Sequence, residues 1–236
     1  MLRSRAKQGG SGENYSLRDA RKYLGLVIPF GFVAWRLWAL GRTSFATLAH
    51  QPTGAAGAAF KLSVMAAMWA AVLALIFVVV VLEREQTASI GLRWPTWADV
   101  GWVPVVLIAS LLLESVWTLF LLALSGDSIS ALAHAPVPAF PVRVRLVMLA
   151  TEPFFEETVF RGYLIERIQS LSGSVSAAVC VSALAASSLM HGGWTLGFVI
   201  VPLGLGEAVL YAWKRNLPAC LLLHVLWMLL PMLGVA

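Results

Sequence analysis

The side chains able to do chemistry lie in three short runs. The densest is ATEPFFEETVFRGYLIERI, from Ala150 to Ile168, which sets Glu152, Glu156, Glu157 and Arg161 among apolar neighbours. Charged residues inside such a run are costly, so they are candidates for function by default. On a helix, Glu157 and Arg161 are four positions apart and can pair. Glu152 and Glu156 are also four apart, so two carboxyls share one face and compete for ionisation. A carboxyl so placed can exchange a proton with water, which is the act of a general base. The other two runs carry histidines: His191 in SSLMHGG and His224 in LLLHVLWM. A lone histidine in an apolar run is usually a packing residue. Two of them beside adjacent glutamates point to a shared site.

Two kinds of hydrolytic site fit these residue types. In one, a glutamate activates water without a metal. In the other, Glu156, His191 and His224 ligate zinc and leave a position open for water. The sequence has no HExxH, which would place two ligands and a base on one helix, so the metal-free site is preferred and no cofactor is expected. Glu114 and Glu207 also sit in apolar runs and are expected to be hydrogen-bonding partners between helices. Cys180 and Cys220 have no CxxC or Cys/His spacing around them and read as packed thiols.

The elements that must carry these residues follow from composition. Of 236 residues, 59% are hydrophobic and 12% charged, about half the charged share of a soluble domain. A soluble chain of this length has no core large enough to hide that surface, so lipid must cover part of it. The expected fold class is all-α, a polytopic transmembrane bundle of seven or eight helices. Seven runs approach the roughly 20 residues needed to cross a bilayer. They are Tyr23–Leu40, Leu62–Leu82, Val100–Leu124, Leu146–Ile165, Val175–Met190, Thr195–Trp213 and Leu217–Val235, with room for an eighth in 41–61 or 125–145. Pro153 starts or kinks the fourth. Residues 51–59 read as a turn-rich linker, and 125–141, with Pro136, Pro138 and Pro141, as a loop.

Residues 1–22 form a polar basic tail, and 23–236 a single transmembrane domain. The net charge of +5 is concentrated in that tail, in Arg3, Arg5, Lys7, Arg18, Arg21 and Lys22, which reads as an orientation signal rather than a nucleic-acid site. With the N-terminus cytoplasmic, Arg84, Arg93, Arg167, Lys214 and Arg215 fall on the same side, while Arg42 and Lys61 fall opposite. Trp94, Trp97, Trp102 and Trp213 lie near predicted boundaries, where indoles anchor at the interface. No signal peptide or C-terminal lipidation cysteine is expected. Transport is disfavoured, since there is no inverted repeat.

The run Glu156-Glu157-Thr158-Val159-Phe160-Arg161-Gly162 resembles the EExxxR motif of the CAAX-protease and bacteriocin-processing (CPBP) family, which includes the type II CAAX prenyl proteases. His191 matches the histidine of the family's second motif and His224 that of its third. The spacing agrees, with 30 residues from Arg161 to His191 and 33 more to His224. The resemblance covers about 145–235. It implies an intramembrane glutamic endopeptidase acting on a membrane-associated protein or peptide, with the bilayer as its other partner and a prokaryotic inner membrane as its location. It also implies roles: Glu156 as base, His191 holding the water, His224 donating to the oxyanion, and Glu157 with Arg161 orienting the site. Two positions depart from the family. Ser187 stands where the second motif has Phe, and Met228 where the third has an oxyanion-binding Asn. Losing one such donor typically costs about 10²–10³ in rate. The alternative function is therefore that of a weak or silent member acting in bacteriocin immunity or as a membrane scaffold.

Overall fold

Alanine decides where the second helix begins. The computed structural model describes residues 20–35, 54–125, 140–188 and 199–232. Residues 54–59, expected as linker, are already helical, because four alanines in that stretch outweigh its two glycines in helix propensity. In chain order, α1 covers 20–35 among the described residues, so residues 20–22, expected as tail, are helical. Next come α2 (Gly54–Phe77), which ends in a π turn (Val78–Leu82), and a short 3-10 turn (Thr87–Ile90). Then follow α3 (Trp97–Gly101) and α4 (Val103–Ser125). Helix α5 (Val142–Glu156) runs into a nine-residue π segment (Glu157–Ile165) and on into α6 (Glu166–Ser172). The last elements are α7 (Val175–Ser187), α8 (Val201–Lys214) and α9 (Leu217–Met232). No strand occurs among the described residues.

Two helices, Ala55–Leu82 and Trp97–Leu124, are long and apolar enough to cross a membrane. Only 33% and 11% of their most apolar windows are buried within the protein, so these are not the core helices of a soluble fold. On their surfaces Leu73, Phe77, Ile108, Leu112, Val116 and Leu119 are all exposed. Such an outward apolar face fits a bilayer. Helices over Val175–Ser187 and Leu217–Leu230 are apolar but shorter, so two helices pass by length and composition among the described residues, and the expected seven or eight crossings are not confirmed.

All nine residues of the π segment are buried, and the bundle is built around it. One core cluster packs Phe155, Val159, Phe160 and Tyr163 against Val72, Leu75 and Val79 of α2 and Leu26 of α1. A second packs Ile165 against Ala178, Leu203, Leu210, Tyr211, Cys220 and Leu223. Close approach requires small residues at two contacts. A Cβ on Gly162 would lie 2.8 Å from the carbonyl oxygen of Ile90, and one on Gly206 would collide with Ser110 Oγ on α4. Small residues allow such helix backbones to approach.

Caps set the helix ends around the site. Ser174 accepts from the Ala177 amide at the start of α7, and Asn216 Oδ1 accepts from Ala219 N (2.9 Å) at the start of α9. At one end of the bundle, Arg21 donates to Leu82 O, and Arg93 donates to the carbonyls of Lys214 and Arg215. There too Arg167 pairs with Glu83, and Arg215 with Glu166. Arg21, Arg93, Arg167, Lys214 and Arg215, grouped by the sequence on one side of the membrane, thus gather at one end of the molecule. Lys61, expected just before the second helix, lies within α2, is 5% exposed, and forms an ion pair with Glu152 at 2.5 Å.

Candidate functional site

Pro153 lies inside α5, one turn above the switch to π geometry. It lacks an N–H and its ring crowds the carbonyl of Leu149, so the α-helical ladder is already interrupted there. Pro153 does not start the helix, as one of the two sequence expectations had it: α5 begins at Val142 and continues through Glu157–Ile165 with wider i→i+5 bonding. Such segments are rare and often mark functional sites. Here it carries Glu157 and Arg161 into the centre of the bundle, 0% and 1% exposed.

Those two meet Glu207 of α8 and His224 of α9 in a closed ring. Arg161 Nη1 lies 3.5 Å from Glu157 Oε1, and Arg161 Nη2 hydrogen-bonds Glu207 Oε2. Nδ1 of His224 lies 2.9 Å from Glu157 Oε1 and 3.2 Å from Glu207 Oε1. With His224 protonated, two carboxylates face one guanidinium and one imidazolium, and the ring carries no net charge. Buried charges persist only when paired in this way. Because both acids sit at Nδ1, the imidazole's other nitrogen, Nε2, is left without a partner among the described residues.

A cavity of about 10 Å³ opens beside the ring. It is lined by Glu156, Arg161, Glu207, His224, Ser187 and Trp227, with Ala186, Ile200, Leu203 and Gly204 completing it. That volume is at the lower limit for one water molecule, and the walls are polar enough to hold it. Glu156 has no hydrogen bond or ion pair among the described residues and is one of the residues of this wall. Arg161 Nε and Nη1 likewise lack a hydrogen bond there.

Glu156, Glu157, Arg161 and His224 lie together, Glu157, Arg161 and His224 in the ring and Glu156 in the cavity lining. His191 lies outside the described residues. Glu152, four residues before Glu156, forms an ion pair with Lys61. Glu207 was expected as a hydrogen-bonding partner between helices and is one: it accepts from Arg161 and lies beside His224. Its one sequence signal was an acid in an apolar run, which does not tell a structural hydrogen bond from a site residue. Trp227 lines the cavity. Asn216 is spent on its cap and a long contact to Asp99 (3.4 Å), and Met228 is not part of the wall.

A metal has one candidate donor set among the described residues. Glu157, Glu207 and His224 present ligand atoms within 4.8 Å of one another. This differs from the set Glu156, His191 and His224 expected from sequence. Arg161 already contacts both carboxylates, so a divalent cation at this place competes with a buried guanidinium.

Residues 138–230 match the family model for type II CAAX prenyl endopeptidase, Rce1-like, within the CPBP family. That segment runs from just before α5 into α9 and holds Glu156 and all four members of the ring. The resemblance read from the EExxxR run and the two histidines thus leads to the same family. No curated protein and no solved structure matches the chain.

Proposed function

We propose that the protein is an integral membrane endopeptidase that hydrolyses a peptide bond of a membrane-associated protein or peptide, with Glu156 as general base. The observation that carries this reading is the water-sized cavity lined by both Glu156 and His224. In the proposed reaction Glu156 removes a proton from water, and the resulting hydroxide attacks the scissile carbonyl carbon. His224 donates from Nε2 to the oxyanion, and His191 helps to hold the water. When the tetrahedral intermediate collapses, the C–N bond breaks and the proton held by Glu156 passes to the leaving amine. Glu157 and Arg161 hold His224 in place and do not touch substrate. The N-terminus is assigned to the cytoplasmic side of a prokaryotic inner membrane from the basic end of the bundle.

The test is cleavage of a mixed set of membrane-anchored peptides by purified protein in lipid nanodiscs. Cleavage that is abolished by Glu156→Gln and survives chelation supports the reading. Full activity in Glu156→Gln overturns it, and loss under chelation moves the mechanism to the zinc alternative.

Met228 favours a second reading. It offers no donor one turn from His224. In this reading the protein is a silent member that binds a peptide or partner without cutting it. Absence of cleavage by the wild type, with activity gained in Met228→Asn, identifies that case.

A further inference from the structure

We propose that Glu207 is a positioning residue of the hydrolytic site, holding Arg161 and His224 so that Nε2 of the imidazole faces the cavity. The inference rests on the endopeptidase reading above and adds a residue that the EExxxR and histidine motifs do not contain.

Three observations support it. First, Glu207 is 1% exposed in the middle of α8, where an isolated carboxylate would be strongly disfavoured. Second, its two oxygens are divided between the two cations: Oε2 accepts from Arg161 Nη2, and Oε1 lies 3.2 Å from His224 Nδ1. Third, it is the only member of the ring on α8, so it ties that helix to the π segment and to α9. Glu157 takes the Nδ1 hydrogen bond at 2.9 Å but stands 3.5 Å from Arg161. Without Glu207, Arg161 turns toward Glu157, and Glu157 can no longer serve the imidazole alone.

The expected consequence is rotational freedom of the ring of His224. In the serine-hydrolase arrangement a carboxylate on the same imidazole nitrogen fixes orientation, and its amide replacement lowers kcat about 10⁴-fold. Here Glu157 remains, so Glu207→Gln is expected to lower kcat by about 10- to 100-fold. KM changes little, because Glu207 touches no substrate.

The experiment combines turnover with imidazole NMR, both on full-length protein in nanodiscs. Kinetics use the peptides cleaved by the wild type. NMR uses ¹⁵N-histidine protein, with the His224 signals assigned by their loss in His224→Asn. Glu207→Gln is expected to keep a near-native melting temperature and KM, to lose kcat, and to turn one set of His224 signals into a broadened or doubled set. Glu207→Asp keeps the charge but withdraws the carboxylate by one methylene. It is expected to show the same kcat loss, and it decides the matter if the Gln variant does not fold. Wild-type kcat in either folded variant, or a kcat loss that only follows the folded fraction, overturns the proposal. If the wild type cleaves no peptide, the endopeptidase reading fails by itself. The NMR comparison then decides Glu207 alone, and unchanged His224 signals in Glu207→Gln overturn its role.

Discussion

Glu157 Oε1 lies 2.9 Å from Nδ1 of His224, although 67 positions separate the two residues. The neighbouring acid, Glu156, has no such bond among the described residues and is part of the cavity lining instead. Adjacent acids on one helix therefore do different work, and their amide variants should separate. Glu157→Gln leaves Arg161 and His224 short of counter-charge in the core, which typically costs about 3–5 kcal/mol. Glu156→Gln removes no pairing, so its stability is expected to stay within about 1 kcal/mol of wild type while turnover is lost. Denaturant unfolding in detergent, run beside the cleavage assay, checks both. Equal destabilisation by the two variants contradicts the division of roles.

Lys61 and Glu152 form the pair that fixes α2 to α5 one turn from Glu156. Both are nearly buried, so removing one partner leaves the other charged in apolar surroundings. Lys61→Met is expected to destabilise the protein by about 3–5 kcal/mol. Replacing both, in Lys61→Met with Glu152→Leu, is expected to recover most of that loss, because no lone charge remains. A double variant as unstable as the single one shows that the pair does not act as a unit.

The end of the bundle away from Lys61 is held by Glu83. Its carboxylate accepts from Tyr163 Oη (2.7 Å) and Arg167 Nε (3.2 Å), and it pairs with Arg167 Nη2. Tyr163→Phe leaves the ion pair intact and is expected to cost about 1 kcal/mol. Arg167→Met strands Glu83 and is expected to cost about 3–5 kcal/mol. The ranking of the two, measured by the same unfolding titration, is the informative result.

Residue type and local spacing showed much of this arrangement before any coordinates. Glu157 and Arg161 pair because four positions along a helix put them side by side, and apolar runs marked the helices that carry them. Long-range pairing was not legible. Nothing in the sequence says that Glu207 faces Arg161 rather than Glu114, or that Lys61 meets Glu152, because each depends on how separate helices rotate and pack. The helical start at Gly54 was missed because Gly and Thr punctuate the stretch more visibly than its alanines. The π geometry was missed because Pro153 signals a break without saying whether the helix stops or widens.

Gly162 sits on the π segment between Arg161 and Tyr163, where the turn at Ile90 presses against the helix. A Cβ there would stand 2.8 Å from the Ile90 carbonyl oxygen, a backbone atom that cannot swing aside as a side chain can. Gly162→Ala must therefore displace either the turn or the segment that carries Glu157 and Arg161. Overpacking of this kind typically costs about 1–3 kcal/mol. Gly101, at the end of α3, has nothing within 4 Å of where a Cβ would stand, and no positive φ. Gly101→Ala is therefore expected to be neutral or to stabilise by up to about 1 kcal/mol, through loss of freedom in the unfolded chain. Comparison of the two variants separates a steric effect from the general effect of adding a methyl group. A neutral Gly162→Ala would mean that the Ile90 turn yields easily and does not hold the π segment in place.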